Sequence, residues 1–247
     1  MAVRARLIQH LTTVDSTNER ALAWAAAGAP DGSVIMADEQ TSGRGRRGRS
    51  WHSPDGGLYL SYIVRDAADL ARPSLLTLAA GVAAARAIAA VSGLAVQLKW
   101  PNDVMTPGDP RKLAGILAEG SSTGSQLEFV VIGIGVNVSL ASVPPELLGI
   151  ASSLEQELGR AVDRPALAGA LMDALDDAVR RLRAGDHEAL LEEWVGLAPG
   201  ARGSRISWRV DDEDLGGVTA GVADDGALLV QTPDGLQRLV AGEVIWS

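Results

Sequence analysis

The spacing of apolar residues predicts alternating strands and helices over the first part of the chain. Short apolar runs bounded by glycine, proline or polar residues, which are typical of strands, fall at residues 6–13, 33–38, 57–64, 95–100, 112–119 and 127–138. A helix is expected over residues 15–27, ended by Gly28. A longer, alanine-rich helix is expected over residues 74–92. Because it carries Arg86, we expect it to be buried in a core rather than to span a membrane.

The second part of the chain begins with a proline-containing loop at residues 140–150, which three helices follow. Asp163 is expected to cap the longest of these helices, because leucine and valine then recur on one helical face. The other two helices are expected at residues 152–158 and from Asp186 to about Leu197.

The pattern changes once more at Pro199-Gly200. Short β-patterned runs separated by turns follow, and the acidic run at residues 211–214 is expected to be a solvated turn. We therefore predict a boundary near residue 200. It would separate a larger domain, residues 1–200, from a small all-β domain, residues 201–247.

The composition restricts the class of protein. The net charge of −9 argues against a general nucleic-acid binder, whose domain is usually basic. The chain has no cysteine, which excludes disulfides, thiolate metal sites and a thioester mechanism. Three scattered histidines argue against a histidine metal cluster, and no apolar signal region opens the chain. We expect a soluble cytoplasmic protein that is not attached to a membrane.

One segment concentrates positive charge on this acidic chain. Residues 40–51 read QTSGRGRRGRSW, with four arginines within six positions and glycines between them. The like charges repel one another and glycine adds backbone freedom, so an anionic ligand would relieve the conflict. Guanidinium groups grip carboxylate and phosphate through paired hydrogen bonds. The segment is expected to close over an anion, although a solvated loop or a nucleic-acid arm remains open.

Lysine and asparagine are scarce. Only two lysines and three asparagines occur, a bias typical of a G+C-rich genome. All five lie in the segments DSTN (15–18), KWPNDV (99–104), KLAGILAE (112–119) and GIGVNV (133–138), so side-chain chemistry is a candidate reason for keeping them. They are Lys99, Lys112, Asn18, Asn102 and Asn137.

Five separated segments resemble, in the same order, the motifs of biotin–protein ligases. They are DSTN (15–18), Gln40 with GRGRRGRSW (43–51), KWPNDV (99–104), KLAGILAE (112–119) and GIGVNV (133–138). The tail at residues 226–244 also looks like the SH3-like C-terminal domain of this family. The resemblance implies an α+β fold, with a mixed sheet and flanking helices in the catalytic domain and a small SH3-like all-β domain at the C-terminus.

The resemblance also implies a two-step reaction. The carboxylate of biotin attacks the α-phosphate of ATP to give biotinyl-5'-AMP and pyrophosphate, with Mg²⁺ as a further cofactor. A lysine of a biotin carboxyl carrier protein then attacks the mixed anhydride. Both steps develop charge on oxygen, so positioning and electrostatic stabilisation suffice without a nucleophilic side chain.

Residue roles follow from the same resemblance. Lys112 and Arg46 are the expected catalytic cations. Biotin is expected to contact Ser16, Thr17, Asn18, Gln40, Gly43, Arg44, Gly45, Arg46 and Lys112. The nucleotide is expected to contact Arg46, Arg49, Trp51, Lys99, Asn102 and Asn137. Asp103 is the candidate ligand of Mg²⁺, which prefers carboxylate and phosphate oxygens.

Several of these residues also have simpler explanations. Ser16 has capping-box spacing to Glu19, Trp51 suits packing as well as adenine stacking, and Asn102 suits a turn. The glycines at 133 and 135 indicate either a close backbone approach or a bulge. Residues 139–150 are expected to be a second flexible loop over the nucleotide.

Many members of the family carry an N-terminal DNA-binding domain. Here the ligase motifs begin at Asp15, so we expect no DNA binding. The alternatives are a lipoate-type ligase of the same fold, a non-catalytic biotin-binding protein and a nucleic-acid-binding module. The sequence leaves the oligomeric state open, a homodimer included.

Overall fold

Two β-sheets and five helices make up the described part of the chain. The computed structural model describes residues 6–67, 70, 72–124, 126–210, 213–242 and 244–246. The helices are α1 (Thr17–Ala26), α2 (Leu76–Ser92), α3 (Leu154–Leu158), α4 (Arg164–Arg183) and α5 (His187–Leu197). The strands are β1 (Ile8–Val14), β2 (Val34–Gln40), β3 (Leu58–Arg65), β4 (Gln97–Lys99), β5 (Asp103–Met105), β6 (Lys112–Thr123), β7 (Gln126–Val136), β8 (Arg202–Val210), β9 (Glu213–Val222), β10 (Leu228–Thr232), β11 (Gly235–Leu239) and β12 (Val244–Trp246).

The first sheet has seven strands in the order β1-β2-β3-β7-β6-β5-β4. Its β1–β2 pair is parallel and the other pairs are antiparallel, so the sheet is mixed. Helices lie on both of its faces, with α2 on one and α1 on the other. The predicted α+β class, with a mixed sheet and flanking helices, is confirmed, and β6 and β7 pair as an antiparallel hairpin.

The two faces of β7 have different partners. Alternate residues of the strand join the main hydrophobic core with α2. They are Val130, Ile132, Ile134 and Val136. On the opposite face Val131 packs with the alanines of α1, and Gly133 and Gly135 follow it toward the end of the strand. The small residues leave an open space beside the start of α1.

Helix α2 is the central helix of the main core. Twelve of its residues are buried, and α4 and α5 pack against it. By length and composition alone residues 73–92 would suit a membrane span, but 67% of the most apolar window is buried inside the fold. The predicted buried helix is confirmed, and Gly93 ends it with a φ of 76°.

The C-terminal residues form the second sheet, which is antiparallel throughout with the strand order β11-β10-β9-β8-β12. The predicted change to an all-β region is confirmed. Its buried side chains, among them Ile206, Trp208 and Leu228, belong to the same core cluster as α2. The two sheets therefore share one core. Within the expected acidic turn, residues 211 and 212 lie outside the described residues.

Two local expectations differ from the structure. Because Pro101 ends the predicted strand at residues 95–100, Asn102 and Asp103 are expected on a turn, yet Asp103 begins β5, which is held between β4 and β6. A strand of three residues is too short to produce a recognisable period, and only its neighbours define it. The 140–150 loop contains two short 3₁₀ turns, Leu140–Ser142 and Pro145–Leu147.

Candidate active site

A cleft opens on the α1 face of the first sheet and gathers most of the predicted site residues. Those that line it are Ser16, Thr17, Asn18, Gln40, Arg44, Gly45, Arg46, Arg49, Trp51, Lys99, Asn102, Asp103 and Lys112. Gly43 and Asn137 do not line it. The cleft also includes residues to which sequence reasoning gave no role. They are Arg47, Ser50, Trp100, Pro101, Gly115, Ile116, Leu117, Ile134, Gly242 and Val244.

The floor of the cleft contains a fixed amide at Gln40. Its Oε1 accepts hydrogen bonds from the backbone N–H and the hydroxyl of Thr17, at 2.8 and 3.0 Å. Its Nε2 donates one hydrogen bond to Ser53 Oγ at 2.8 Å. An amide nitrogen carries two protons, so one donor of Gln40 remains for a ligand.

Asn18 is held in the same way. Its Oδ1 accepts from Ser61 Oγ at 2.6 Å, and its Nδ2 donates to Glu119 Oε2 at 2.8 Å. The side chain also needs the glycine opposite, because a Cβ at Gly133 would lie 2.1 Å from Asn18 Oδ1. One amide proton of Asn18 is left for a ligand. Sequence reasoning placed Glu119 in a motif but gave it no role.

Ser16 is both a helix cap and a lining residue. Its Oγ accepts from the backbone N–H of Glu19 at 3.5 Å, which is the N-cap interaction of α1. The reciprocal half of the predicted capping box is not made, since Ser16 N–H donates to Asp15 Oδ1 and the carboxylate of Glu19 contacts Arg44 instead. Because the Ser16 hydroxyl acts as an acceptor in the cap, its proton can still be donated into the cleft.

The Arg/Gly segment, residues 43–50, folds back over the cleft as a tight hairpin. Arg44 and Ser50 form a β-bridge around the 3₁₀ turn Arg46–Gly48. Arg44 contacts Glu119 at 2.9 Å and Glu19 at 3.2 Å, and Arg46 Nη1 donates to Asn102 Oδ1 at 3.0 Å. Arg44 and Arg46 thus direct their charge toward carboxylates and an amide of the site, whereas Arg47 and Arg49 are exposed.

Gly43 supports this hairpin from outside the cleft. A Cβ at this position would lie 2.4 Å from the carbonyl oxygen of Trp51 and 2.5 Å from Ser53 Oγ. Gly43 does not line the cleft as the biotin-binding prediction implied. The absence of a side chain lets the segment close against Ser53, which in turn holds Gln40.

The indole of Trp51 lies against the glycines of β6 and β7. A Cβ at Gly135 would be 2.3 Å from Trp51 Nε1, and one at Gly115 would be 3.0 Å from its ring. Gly115 and Gly135 are paired in an unbroken register, so a close approach, not a bulge, explains the glycines. Packing is therefore one role of Trp51, whose Nε1 has no hydrogen-bond partner within the described residues.

Lys112 begins β6 and extends its ammonium into the cleft. Its Nζ lies 2.6 Å from Asp103 Oδ1 and 5.2 Å from the ring centroid of Trp51. Its backbone is fixed on both sides, since Lys112 N–H donates to the carbonyl of Ile150 and the Lys112 carbonyl accepts from Ser152 N–H. A compact cation is thereby held beneath the Arg/Gly segment.

Asn137 is placed differently from its prediction as a nucleotide contact. The residue is buried, and its Nδ2 donates to the carbonyls of Ser152 at 3.1 Å and Lys112 at 3.4 Å. It fixes the backbone that carries Lys112 and does not face the cleft. Residues 139–150 do not line the cleft either, although Ile150 contacts the backbone of Lys112.

The described residues do not form a protein cage for a metal ion. No group of three or more histidine, cysteine or acidic side chains with suitable spacing occurs among them. Asp103, the predicted Mg²⁺ ligand, is paired with Lys112. Because Mg²⁺ is often bound by one carboxylate together with substrate phosphates, these residues fit a metal only when a nucleotide supplies most of the ligands.

The second sheet reaches the cleft, which the sequence did not predict. Gly242 and Val244 line it, and Trp100 Nε1 donates to the carbonyl of Gly226 at 3.0 Å. Nothing in the local sequence of these residues marks such long-range contacts. The second sheet is therefore part of the site.

Residues 11–137 match the Biotin/lipoate A/B protein ligase family, and residues 203–246 match the Biotin protein ligase C terminal domain. The chain is 34% identical to the biotin–[acetyl-CoA-carboxylase] ligase of Paracoccus denitrificans, over 96% of this chain and 99% of that one. It is 33% identical to the bifunctional ligase/repressor BirA of Bacillus subtilis, over 96% of this chain and 74% of that one. The biotin protein ligase of Aquifex aeolicus, solved in complex with biotin and ATP, matches with a TM-score of 0.85 and 26% identity, over 98% of this chain and 99% of that one. The chain therefore belongs to the biotin protein ligase family.

Proposed function

We propose that this cleft activates biotin with ATP as biotinyl-5'-AMP and transfers the biotinyl group to a lysine of a biotin carboxyl carrier protein. One observation carries the proposal: Lys112 and the Arg/Gly segment meet across a single cleft whose floor presents neutral hydrogen-bonding groups. Relatives of similar length are biotin–[acetyl-CoA-carboxylase] ligases, which supports both the reaction and the class of protein substrate.

Biotin binds on the floor, near Ser16, Thr17, Asn18 and Gln40. Its ureido head is neutral and carries both donors and acceptors, so neutral amides and hydroxyls suit it better than charged groups. The amides of Gln40 and Asn18 are already oriented by protein hydrogen bonds. Such preorganisation lowers the entropy lost when the ligand binds.

The first chemical step takes place beside Lys112. The carboxylate of biotin attacks the α-phosphorus of ATP, a new P–O bond forms, and pyrophosphate leaves with the electrons of the broken P–O bond. Lys112 supplies a point charge to the oxygens that gain negative charge, and Arg46 supplies a second cation from the Arg/Gly segment. Asp103 holds the ammonium of Lys112 in place at 2.6 Å.

The second step is an attack by the amine of the carrier lysine on the biotinyl carbonyl, which releases AMP and leaves an amide bond. Arg44, Gly45 and Arg46 cover the adenylate until that amine arrives, and the covering excludes water from the mixed anhydride. Arg49, Trp51, Lys99 and Asn102 line the cleft on the nucleotide side. Mg²⁺ bound through Asp103 and the phosphates would add a further positive charge.

The wider assignments belong to the same proposal. Residues 1–200 form the catalytic domain, and residues 201–247 form a second domain that completes the cleft. The protein works in the cytoplasm and binds neither DNA nor a membrane. The contacts of Arg44 with Glu119 and of Arg46 with Asn102 support the absence of DNA binding, because cations held by groups of the site are less available to nucleic-acid phosphates.

The test is a mass measurement of a purified carrier domain after incubation with the protein, biotin and MgATP. We expect one biotinyl group per carrier, and none on a carrier whose acceptor lysine is replaced by arginine. ATP–pyrophosphate exchange that depends on lipoate instead of biotin would identify a lipoate-type ligase. Tight biotin binding without AMP release would identify a non-catalytic binder, and a salt-sensitive, micromolar affinity for duplex DNA would support the nucleic-acid alternative.

A further inference from the structure

Ser61 is a buried serine beneath the floor of the cleft, and sequence reasoning gave it no role. It lies in the middle of β3, is fully buried, and its Oγ is 2.6 Å from Asn18 Oδ1 and 2.8 Å from Thr17 Oγ1. Asn18 and Thr17 line the cleft, whereas Ser61 does not. Buried polar groups are almost always hydrogen-bonded, and here both partners belong to the expected biotin site.

The direction of these hydrogen bonds is fixed from one end. The carboxylate of Glu119 has no proton to give, so the amide nitrogen of Asn18 must face it and the amide oxygen must face Ser61. An amide oxygen only accepts, so the single proton of the Ser61 hydroxyl is donated to Asn18 Oδ1. Ser61 therefore has no second proton for Thr17.

Thr17 is left without a proton for a ligand. Its Oγ1 lies 2.8 Å from Ser61 Oγ and 3.0 Å from Gln40 Oε1, and each of these oxygens can accept from it. The single proton of the Thr17 hydroxyl serves one of the two contacts, and turning it into the cleft would leave both contacts without a proton. Thr17 therefore presents only lone pairs to the cleft, while the amides of Gln40 and Asn18 each present an N–H.

We propose that Ser61 is a positioning residue that fixes which groups of the biotin-binding floor donate and which accept. It holds the amide oxygen of Asn18, which leaves one N–H of that amide for the ligand, and it keeps Thr17 as an acceptor for a ureido N–H. The identity of the ligand rests on the proposed function, but the orientation of Asn18 is a property of the protein alone. The position suits this role, because Ser61 is paired in register with Gly133, whose missing side chain makes room for the Asn18 amide.

A measurement without substrates tests the orientation of Asn18. The chain has only three asparagines, so protein made with ¹⁵N-labelled asparagine gives three side-chain amide groups in its NMR spectrum, and the group lost in Asn18→Asp identifies Asn18. In Ser61→Ala the amide oxygen of Asn18 loses its donor. We expect exchange of the Asn18 amide protons with solvent to become about tenfold faster, the effect of losing one hydrogen bond. Equal exchange rates in Ser61→Ala and wild type would overturn the role of Ser61.

Ser33→Ala is the matched control. Ser33 lies just before β2, is as fully buried as Ser61, and does not line the cleft. Its Oγ has no hydrogen-bond partner within the described residues. Ser33→Ala therefore removes the same hydroxyl group from the same sheet without breaking a hydrogen bond, and amide exchange at Asn18 and the KM for biotin should keep their wild-type values.

The kinetic readout separates positioning from a general loss of structure. In Ser61→Ala we expect the KM for biotin in ATP–pyrophosphate exchange to rise about tenfold. The kcat at saturating biotin should stay near the wild-type value, because Lys112 and Arg46 are untouched. A fall in kcat with an unchanged KM would contradict a role in biotin binding.

The choice of ligand is the sharper readout. A cyclic carbamate analogue of biotin has a ring oxygen in place of one ureido N–H, and two isomers exist. In the wild type, one isomer places this oxygen against the lone pairs of Thr17, and we expect it to bind at least about 10²-fold more weakly than biotin. In Ser61→Ala the Thr17 hydroxyl has one contact fewer and can turn its proton toward that oxygen, so this ratio should fall about tenfold.

Thr17→Val is a second variant, which keeps the test open if Ser61→Ala does not fold. It removes the lone pairs that repel the carbamate oxygen, so it should lower the same ratio. A loss of stability alone would weaken biotin and carbamate equally and leave the ratio unchanged. Carbamate isomers that both bind the wild type as tightly as biotin would overturn the assignment of Thr17 as an acceptor.

The two proposals fail in different ways. A wild-type protein that labels its carrier, together with a Ser61→Ala variant whose amide exchange, KM and choice of ligand are unchanged, would sustain the proposed function and refute the role of Ser61. Faster exchange at Asn18 in Ser61→Ala, without any biotin binding by the wild type, would sustain the hold of Ser61 on Asn18 and refute the proposed function.

Discussion

At the scale of single residues, the site depends on how one ammonium group is held. Lys112 is one of only two lysines in the chain, and its Nζ lies between the carboxylate of Asp103 and the face of the Trp51 ring. The carboxylate of Asp103 stabilises the ammonium on one side, and the electron-rich face of the Trp51 indole stabilises it on the other. The backbone hydrogen bonds at both ends of the residue then fix where the charge can act.

Replacing this cation should cost the first reaction step. We expect Lys112→Ala to lower biotin-dependent ATP–pyrophosphate exchange by about 10²–10³-fold, the effect of removing one electrostatic donor from a preorganised site. The measurement needs a thermal-unfolding control, since Asp103 loses its ion-pair partner. Exchange close to the wild-type rate in a folded variant would remove Lys112 from the mechanism.

Arg46 should govern retention of the intermediate. Arg46 lies in the Arg/Gly segment and lines the cleft, and its Nη1 donates a hydrogen bond to Asn102 Oδ1 at 3.0 Å. Arg46→Gly should release biotinyl-5'-AMP, so that lysines on unrelated proteins become labelled, which a streptavidin blot of a protein mixture would detect. Arg209→Gly is the control, because Arg209 pairs with Asp214 on the far hairpin of the second sheet and does not line the cleft. Labelling confined to the carrier in both variants would refute the retention role.

At the scale of secondary-structure elements, β7 has to build two surfaces at once. The branched residues that face α2 fill the main core, and the glycines on the other face admit the side chains of Asn18 and Trp51. Glycine weakens a strand interior, so its presence at these two places indicates a requirement for space. The strand therefore sets the depth of the cleft as well as the packing of the core.

Gly135→Ala tests this requirement. The added methyl group would lie 2.3 Å from Trp51 Nε1, so the indole must move. Overpacking of this kind costs about 1–3 kcal/mol, and we expect the free energy of unfolding to fall by that amount and biotin binding to weaken. Denaturant unfolding and biotin titration measure the two effects.

Gly169→Ala is the matched substitution in α4, where nothing lies within 4 Å of the new methyl group. Alanine is a better helix former than glycine by up to about 1 kcal/mol, so this variant should be as stable as the wild type or more stable. A Gly135→Ala protein that binds biotin as tightly as Gly169→Ala would show that the space is not needed.

The same elements explain what can be predicted from the sequence. The helix start at Ser16 and the strand beginning with Lys112 carry local signals, so their positions are predictable, and the resemblance of their motifs to one family implies that both belong to one site. The sequence does not distinguish Asn137 from a ligand contact, because a buried amide that bonds two carbonyls has no pattern of its own. The contact of Glu119 with Arg44 joins residues far apart in the chain, and no local pattern reports it.

At the scale of the whole molecule, the two sheets share one hydrophobic core, and both contribute residues to the cleft. Side chains of the second sheet enter the core around α2, and Gly242 and Val244 line the cleft. The turn that carries Gly226 is pressed onto α2, since a Cβ at Gly226 would lie 3.0 Å from Leu78 and 3.1 Å from Leu75. The position of the Gly226 carbonyl is therefore fixed relative to α2, and the carbonyl can hold the side chain that donates to it.

Trp100 connects that carbonyl to the catalytic segment. It precedes Asn102 and Asp103, is 3% exposed, and donates its indole N–H to the carbonyl of Gly226. In Trp100→Phe that carbonyl loses its partner, and we expect a loss of stability of about 1 kcal/mol. We also expect kcat/KM for biotin-dependent ATP–pyrophosphate exchange to fall by about tenfold or more, because small misplacements of site residues can cost up to about 10²-fold.

Trp208→Phe separates this effect from the loss of a large ring. Trp208 is also buried in the shared core, but its Nε1 has no hydrogen-bond partner within the described part of the chain. The substitution therefore removes ring volume without breaking a hydrogen bond, and it should lower stability while kcat/KM stays near the wild-type value. If the two variants lose activity in proportion to their stability, the second sheet contributes only to folding. If Trp100→Phe alone loses activity, the indole contact between the sheets positions the residues that carry out adenylation.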